Sequence, residues 1–427
     1  MANPRLFRRD FTMVVIGQII SLFGNAVLRF ALPLYLLNQT QSPALFGIVS
    51  ACSFIPMILL SPVGGIIADR INKRNIMVIL DFATAGLALL FTLLLGKLDL
   101  VVLIVCTLIL LYGIQGAYQP SVQASIPALV TAQQLVPANS VVTLVNSLAG
   151  LIGPVIGGAV YGFYGITPVL WVSIFCFFAS AVMEIFIHIP FEKKPGAASI
   201  AALVRQDMAH SFRFIKNEKP IIAKIALFIA AINLVYSALL IIGLPVIITQ
   251  KLGFEEQLGN QLYGVCQGVM AAGGLAGGIL SGALSKRLDV SQSHILLFGC
   301  SFLLLPVALV LLLPVPGLAA YIVILACCFL AMATSTIFSI QMMAYVQLIT
   351  PGELIGKIMS LALCVCMCAS PLGQAVYGWL FEAMSGQLSA IFLVAAILSF
   401  LIAVLSRRSF ALLRKPDPAQ PACGERL

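Results

Sequence analysis

The sequence predicts an all-α membrane protein, with twelve transmembrane helices arranged as two six-helix bundles related by a parallel repeat. Three observations predict it. The 427 residues are 61% hydrophobic and 9% charged, whereas soluble domains average about 45–50% apolar and about 25% charged. Twelve apolar stretches are long enough to cross about 30 Å of hydrocarbon, which takes roughly 20 residues. Short motifs of the first half recur in the second at a nearly constant separation. Intrinsic disorder is excluded, because disordered chains are poor in apolar residues.

The stretches run, in order, Phe11–Leu37, Ala44–Ile67, Ile76–Leu95, Leu100–Gln119, Ser140–Val160, Thr167–Ile189, Ile221–Gln250, Gln261–Ser285, Ser293–Leu313, Leu318–Ile349, Ile355–Met384 and Ser389–Leu405. Each reads as a helix, since an isolated apolar segment satisfies its backbone in lipid only that way. None shows the alternation over about 10 residues that barrel strands need. The first stretch follows Arg5, Arg8 and Arg9 and is too long for the core of a cleavable signal. The third, sixth, ninth and twelfth are aliphatic or aromatic through their middles and read as lipid-facing. The fifth carries Gly153, Pro154, Gly157 and Gly158, and the eighth is rich in small residues. Small residues allow close backbone approach, and an internal proline bends a helix by removing a hydrogen bond.

Charge orients the chain. With twelve spans both termini share a side. Of the 24 Lys and Arg, all but Lys97, Lys251 and Arg29 fall on that side. Basic loops stay cytoplasmic, so both termini are expected in the cytoplasm of a multi-pass protein of the cytoplasmic membrane. The net charge of +9 is then a topology signal that favours anionic lipid heads, and it requires no nucleic acid.

The expected division is an N-terminal bundle over 1–189, a cytoplasmic linker over 190–220, a C-terminal bundle over 221–407 and a tail over 408–427. Within the linker, Leu203, Met208, Phe212 and Ile215 recur near helical spacing among basic residues. That pattern fits an amphipathic helix on the membrane surface or a simple tether. Across the linker GIIADRI (Gly65–Ile71) answers GALSKRL (Gly282–Leu288) at a separation of 217 residues, and AVYG (Ala159–Gly162) recurs as Ala375–Gly378 at 216. Parallel six-helix repeats are a transporter architecture, with the substrate site at the repeat interface near the midplane.

The segment Gly65–Arg74 resembles the signature between helices 2 and 3 of the major facilitator superfamily, and Gly150–Gly158 is similar to the helix 5 signature of its antiporters. Gln119-Pro120, Ile126-Pro127, Ala138–Ser140 and Pro351–Lys357 resemble the drug-exporter branch that includes macrolide efflux proteins. The resemblance implies a secondary transporter that exports a small amphiphilic compound by alternating access, with proton exchange as the usual drive. It implies a cytoplasmic gate at Gly65, Asp69, Arg70, Lys73 and Arg74, the bases serving equally as positive-inside residues. It implies a domain interface at Gly153, Pro154, Gly157 and Gly158. Tyr112 stands where proton-coupled members carry a helix 4 arginine, and Gly24 where some carry an acid.

In this superfamily helices 1, 4, 7 and 10 line the central cavity. Those spans carry polar residues here: Gln18, Ser21, Asn25 and Arg29; Tyr112, Gln115 and Gln119; Asn233, Tyr236 and Ser237; Thr334, Gln341 and Tyr345. Steps of three and four place side chains on one helix face. Gln18, Asn25, Arg29, Gln115, Gln119, Asn233, Tyr236, Gln341 and Tyr345 are the expected substrate contacts. Arg29 is the sharpest of them. A central arginine costs roughly 2.5–3.5 kcal/mol on insertion scales, so it needs a wet cavity or a partner, or it snorkels. It favours a zwitterionic, acidic or lipid-like substrate over a purely cationic one. The lysolipid, siderophore or metabolite translocase therefore stands as the alternative to the drug exporter. Asp81 and Glu184 are the candidates for carrying protons.

No cofactor or resident metal is expected. His188, His210 and His294 are scattered, and of Cys364, Cys366 and Cys368 only the first and last share a face. A phosphate-binding Gly-Lys-Ser/Thr loop is absent, which disfavours direct ATP drive. No His/Asp/Glu or Ser/His cluster suggests an enzyme. The expected partners are the substrate, the bilayer and protons, and a monomer is expected.

Overall fold

A computed structural model describes residues 7–190, 213–215, 217, 219–284, 290–351 and 354–410. Among them are twelve helices long and apolar enough to span a membrane. They are α1 Arg9–Thr40, α2 Pro43–Arg70, α3 Lys73–Leu94, α4 Leu100–Leu129, α5 Leu135–Tyr164, α6 Ile166–Ile185, α7 Pro220–Lys251, α8 Glu256–Ala283, α9 His294–Leu312, α10 Gly317–Ile349, α11 Ile355–Ala383 and α12 Leu388–Phe410. The amphipathic helix expected within 190–220 lies outside the described residues, apart from a fragment in which Phe214 and Ile215 are buried.

Local chemistry sets the ends. The Ser42 side chain accepts from the Leu45 N–H ahead of Pro43 at the first position of α2, Asn72 accepts from Arg74 N–H at the start of α3, and Asp99 accepts from Val102 N–H at the start of α4. Such caps satisfy donors that a helix start leaves unpaired. The left-handed residues are Gln41, Gly96, Gly165 and Gly253. All four sit at or just after helix ends, in the α1–α2, α3–α4, α5–α6 and α7–α8 connections. Those connections are short enough that the chain reverses through a single positive-φ residue, which glycine adopts without steric cost.

The chain forms two compact units. The first is Met1–Pro195 with Pro245–Gly268, the second Gly196–Leu244 with Val269–Leu427. In the first, α1 packs on α5 and α6, α2 on α4, and α3 on α4 and α6. In the second, α7 packs on α11 and α12, and α9 on α10 and α12. Glycines draw α8 onto α10, where a Cβ on Gly273 would meet the backbone of Phe329 and one on Gly277 that of Ala333. Advancing each pairing of the first unit by six helices gives its counterpart in the second, as the sequence repeat requires.

The end of α7 and the first half of α8 belong with the first unit, because α8 there lies on α5 with no room for side chains. A Cβ on Gly158 would stand 2.8 Å from Gly264 Cα, and one on Gly162 would stand 2.7 Å from Gln261 Cγ. Apolar side chains such as Phe175 on α6, Ile79 on α3 and Leu405 on α12 are left uncovered by protein, which is affordable only against hydrocarbon.

Candidate functional site

Two helices carry the polar centre of the first unit. Along α1 and α4, which run in opposite directions, three contacts form rungs. Gln18 Nε2 donates to Tyr118 OH (2.7 Å), Asn25 Nδ2 donates to Gln115 Oε1 (2.6 Å), and the Arg29 guanidinium carbon lies 3.8 Å from the centroid of the Tyr112 ring. Steps of seven and four along α1 answer steps of three and three along α4, so each rung sits on one helix face.

Arg29 is half-buried. Its charge rests on the π face of Tyr112, an attraction worth about 0.5–2 kcal/mol depending on desolvation. Phe54 of α2 stands edge-on to Tyr112 at 4.9 Å between centroids and holds that ring in place. Among the described residues no carboxylate lies within ion-pair distance of Arg29. Tyr112 of α4 thus serves as the platform for an arginine on α1.

One end of the same two helices holds a second cluster. Tyr118 OH donates to Glu184 Oε1 (2.9 Å), and Ser21 Oγ donates to Asp81 Oδ1 (3.0 Å). Ser180 Oγ donates to the Gly17 carbonyl (3.1 Å). Asp81 of α3 and Glu184 of α6 are thus brought into one network, at 2% and 0% exposure. Their nearness to each other follows from the α3–α6 packing, and Gly17 leaves space for the Glu184 side chain, whose Cγ would lie 3.6 Å from a Cβ there. Sequence reasoning missed Tyr118 and Ser180. The spacing of Ser173, Ser180 and Glu184 along one face of α6 was the available signal.

In the second unit α7 leaves α-helical geometry over Asn233–Ser237, where the Ala238 N–H bonds to the Asn233 carbonyl in a π turn. Asn233 Nδ2 donates to the Cys366 carbonyl of α11 at 3.1 Å, and Ser237 Oγ donates to Asn233 Oδ1 at 3.2 Å. π turns concentrate at functional sites, and this one holds two expected substrate contacts.

The structure separates the expected contacts into two groups. Asn25, Arg29, Gln115, Gln119 and Asn233 are partly exposed. Gln18, Tyr236, Gln341 and Tyr345 are buried within their own units. Gln18 is tied to Tyr118, Gln341 Oε1 accepts from Ser293 Oγ at 2.7 Å, and Tyr345 sits in an apolar core with Phe338 and Ile358. Gly65, Asp69 and Arg70 end α2, and their side chains lie outside the description; Lys73 and Arg74 open α3 and are half-buried. In α5, a Cβ on Gly153 would strike Ala26 of α1, one on Gly157 would press on Phe30 at 3.2 Å, and Pro154 lies inside the helix with its carbonyl against Gly264.

Macrolide efflux protein A of Streptococcus pyogenes is 21% identical over 86% of this chain and 88% of its own. The staphyloferrin A transporter of Staphylococcus aureus is 24% identical over 66% and 69%. Among solved structures, a mutant form of the nucleoside transporter NupG superposes with a TM-score of 0.75 at 12% identity, covering 94% of this chain and 99% of that one. A bacterial homologue of the iron transporter ferroportin, in an inward-facing state, gives 0.68 at 17% over 93% and 98%. The family model described as Major Facilitator Superfamily matches residues 14–373. With twelve spans, the duplicated helix pairing and a family match over most of its length, this chain belongs to the Major Facilitator Superfamily, a family of multi-pass membrane transporters.

Proposed function

We propose that the protein exports a small amphiphilic compound across the cytoplasmic membrane by alternating access, with both termini in the cytoplasm, as a monomer. The observation that carries the substrate class is Arg29, a half-buried cation set on Tyr112 with no carboxylate partner among the described residues. An uncompensated charge at that depth is costly, and a ligand with an acidic or carbonyl group would relieve the cost. Asn25, Gln115 and Gln119 of the first unit and Asn233 of the second are assigned as further ligand contacts. Gln18 is assigned to the acid cluster through Tyr118, and Tyr236, Gln341 and Tyr345 are assigned to packing. The likeness to a macrolide efflux protein supports export.

A lysolipid or siderophore/metabolite translocase is the second reading. Arg29 favours it, since a phosphate or carboxylate suits the guanidinium fork better than a neutral drug does, and a siderophore transporter is among the relatives. Gly65, Asp69, Arg70, Lys73 and Arg74 are assigned to a cytoplasmic gate. Gly153, Pro154, Gly157 and Gly158 are assigned to tight packing that the transport cycle uses. The assigned drive is proton exchange, with Asp81 and Glu184 as carriers.

The test is ligand-induced thermal stabilisation across macrolides, siderophores and lysolipids, in the wild type and in Arg29→Ala. Stabilisation that Arg29→Ala abolishes supports the reading. Stabilisation that is unchanged by the substitution removes Arg29 from the site. Everted vesicles test the drive, because substrate accumulation indifferent to a collapsed pH gradient would exclude proton exchange.

A further inference from the structure

The acid cluster of the first unit lacks a specific kind of partner. Three buried atoms there have no hydrogen bond: Gln18 Oε1, Asp81 Oδ2 and Glu184 Oε2. All three are acceptors. Ser21 donates to Asp81, Tyr118 to Glu184 and Ser180 to the Gly17 carbonyl, and the Tyr118 and Ser180 hydroxyls also lie within reach of Asp81. Three hydroxyl protons are too few for the acceptor oxygens gathered here. Buried polar atoms are almost always satisfied, and what would satisfy these three is positive charge or hydrogen, not another acceptor.

No neighbouring element supplies it. The titratable groups facing the cluster are Asp81 from α3, Tyr118 from α4 and Glu184 from α6, while α1 contributes the neutral Gln18 and Ser21. Lys73 and Arg74 open α3 about two turns before Asp81, and Arg29 lies ~12 Å of helix rise beyond Ser21. Asp10 and His188, near the ends of α1 and α6, are bonded to each other through the His188 N–H. Among the described residues no cationic side chain pairs with either acid. Two ionised carboxylates, buried together and unpaired, would be prohibitively unfavourable.

We infer that Asp81 and Glu184 form one enclosed proton-binding site, closed by Gln18, Ser21, Tyr118 and Ser180, that is filled by two protons in this conformation. A proton on each carboxyl turns two of the orphaned acceptors into donors. It leaves the site uncharged. A single sodium ion in place of the two protons would leave one net negative charge. Proton binding here is separate from what the protons drive, so this site deepens the exchange reading and rests on it only for the purpose of the protons.

The test is infrared spectroscopy of the full chain in lipid nanodiscs as pH is varied, reading the carbonyl stretch of protonated carboxylic acids. The wild type is expected to show two such components near neutral pH. Asp81→Asn and Glu184→Gln should each remove one, and the double variant both, since the amide replaces the carboxyl with a donor of the same shape. Absence of the band in the wild type near neutral pH overturns the proposal without depending on any variant. Loss of the band when sodium chloride replaces choline chloride at fixed pH also overturns it, by showing a metal cation site. Intact bands together with pH-indifferent transport would overturn the exchange reading alone.

Discussion

The guanidinium carbon of Arg29 lies over the ring of Tyr112, 3.8 Å from its centroid, one rung along α1 and α4 from the Asn25–Gln115 hydrogen bond. The ring steadies the cation without neutralising it. An arginine held this way keeps its planar fork of donors.

Arg29→Ala is therefore expected to weaken binding of an anionic amphiphile by tenfold or more, since tenfold corresponds to about 1.4 kcal/mol and a charge-assisted bond contributes about 1.5–3 kcal/mol. Arg29→Lys should fall between the two, keeping charge and losing the fork. Tyr112→Leu should weaken binding by about 0.5–2 kcal/mol through the lost π face, whereas Tyr112→Phe should bind nearly as well. Ligand-dependent shifts in melting temperature would order the four variants, and equal binding by Arg29→Ala and wild type would refute the assignment.

Glycine substitutions in α8 should separate close packing from mere flexibility. A Cβ on Gly264 would meet the Pro154 carbonyl at 2.5 Å and Gly158 Cα at 2.9 Å, backbone atoms that cannot swing aside. Gly264→Ala should destabilise by about 1–3 kcal/mol, the usual cost of overpacking. A Cβ on Gly278 would have nothing within 4 Å, so Gly278→Ala should be neutral or stabilising, given a helix preference of about 1 kcal/mol for alanine. Thermal unfolding in detergent reads the contrast, and a stable Gly264→Ala would contradict it.

Gly24 tests the contact of α1 with α6. A Cβ there would stand 2.7 Å from Cys176 Cβ, and Ser173 Oγ bonds to the Gly24 carbonyl at 3.2 Å. Gly24→Ala should lower stability by about 1–3 kcal/mol. The double change Gly24→Ala with Cys176→Gly should recover part of that loss. A double variant equal to the plain sum of the two single effects would show that the residues do not couple.

Asn38 links α1 to α5 and α8 through Tyr161 OH (3.2 Å) and Asn260 Oδ1 (2.9 Å). Interhelical hydrogen bonds in membranes average about 0.6 kcal/mol in double-mutant cycles. A cycle of Asn38→Ala and Asn260→Ala should give a coupling of about that size. Zero coupling would mean that the bond contributes nothing to the packing of α8 with the first unit.

The helices were legible because hydrophobic length and charge asymmetry record the membrane directly, and the repeat was legible because short motifs recur at a nearly constant separation. The site was legible only in part. Periodicity shows which residues share a face, but not what that face meets. Gln18 and Arg29 share a face of α1, and one is sealed against Tyr118 while the other stays partly open. Asp81 and Glu184 read as separate acids because their meeting depends on how α3 lies on α6. The π turn at Asn233–Ser237 arises in a run of ordinary helix formers, and no residue there announces it.

The duplication carries its own control. Advancing Asp81 by the repeat separation of 217 residues reaches Phe298, and advancing Glu184 reaches Leu401, beside Phe400. Phe298 and Phe400 pack together across α9 and α12, ring centroids 5.2 Å apart, where the first unit joins α3 to α6 through its acids. The scaffold is thus shown closing the same helix junction with hydrocarbon. Acids at that junction are not demanded by the architecture, since the second unit closes it without them.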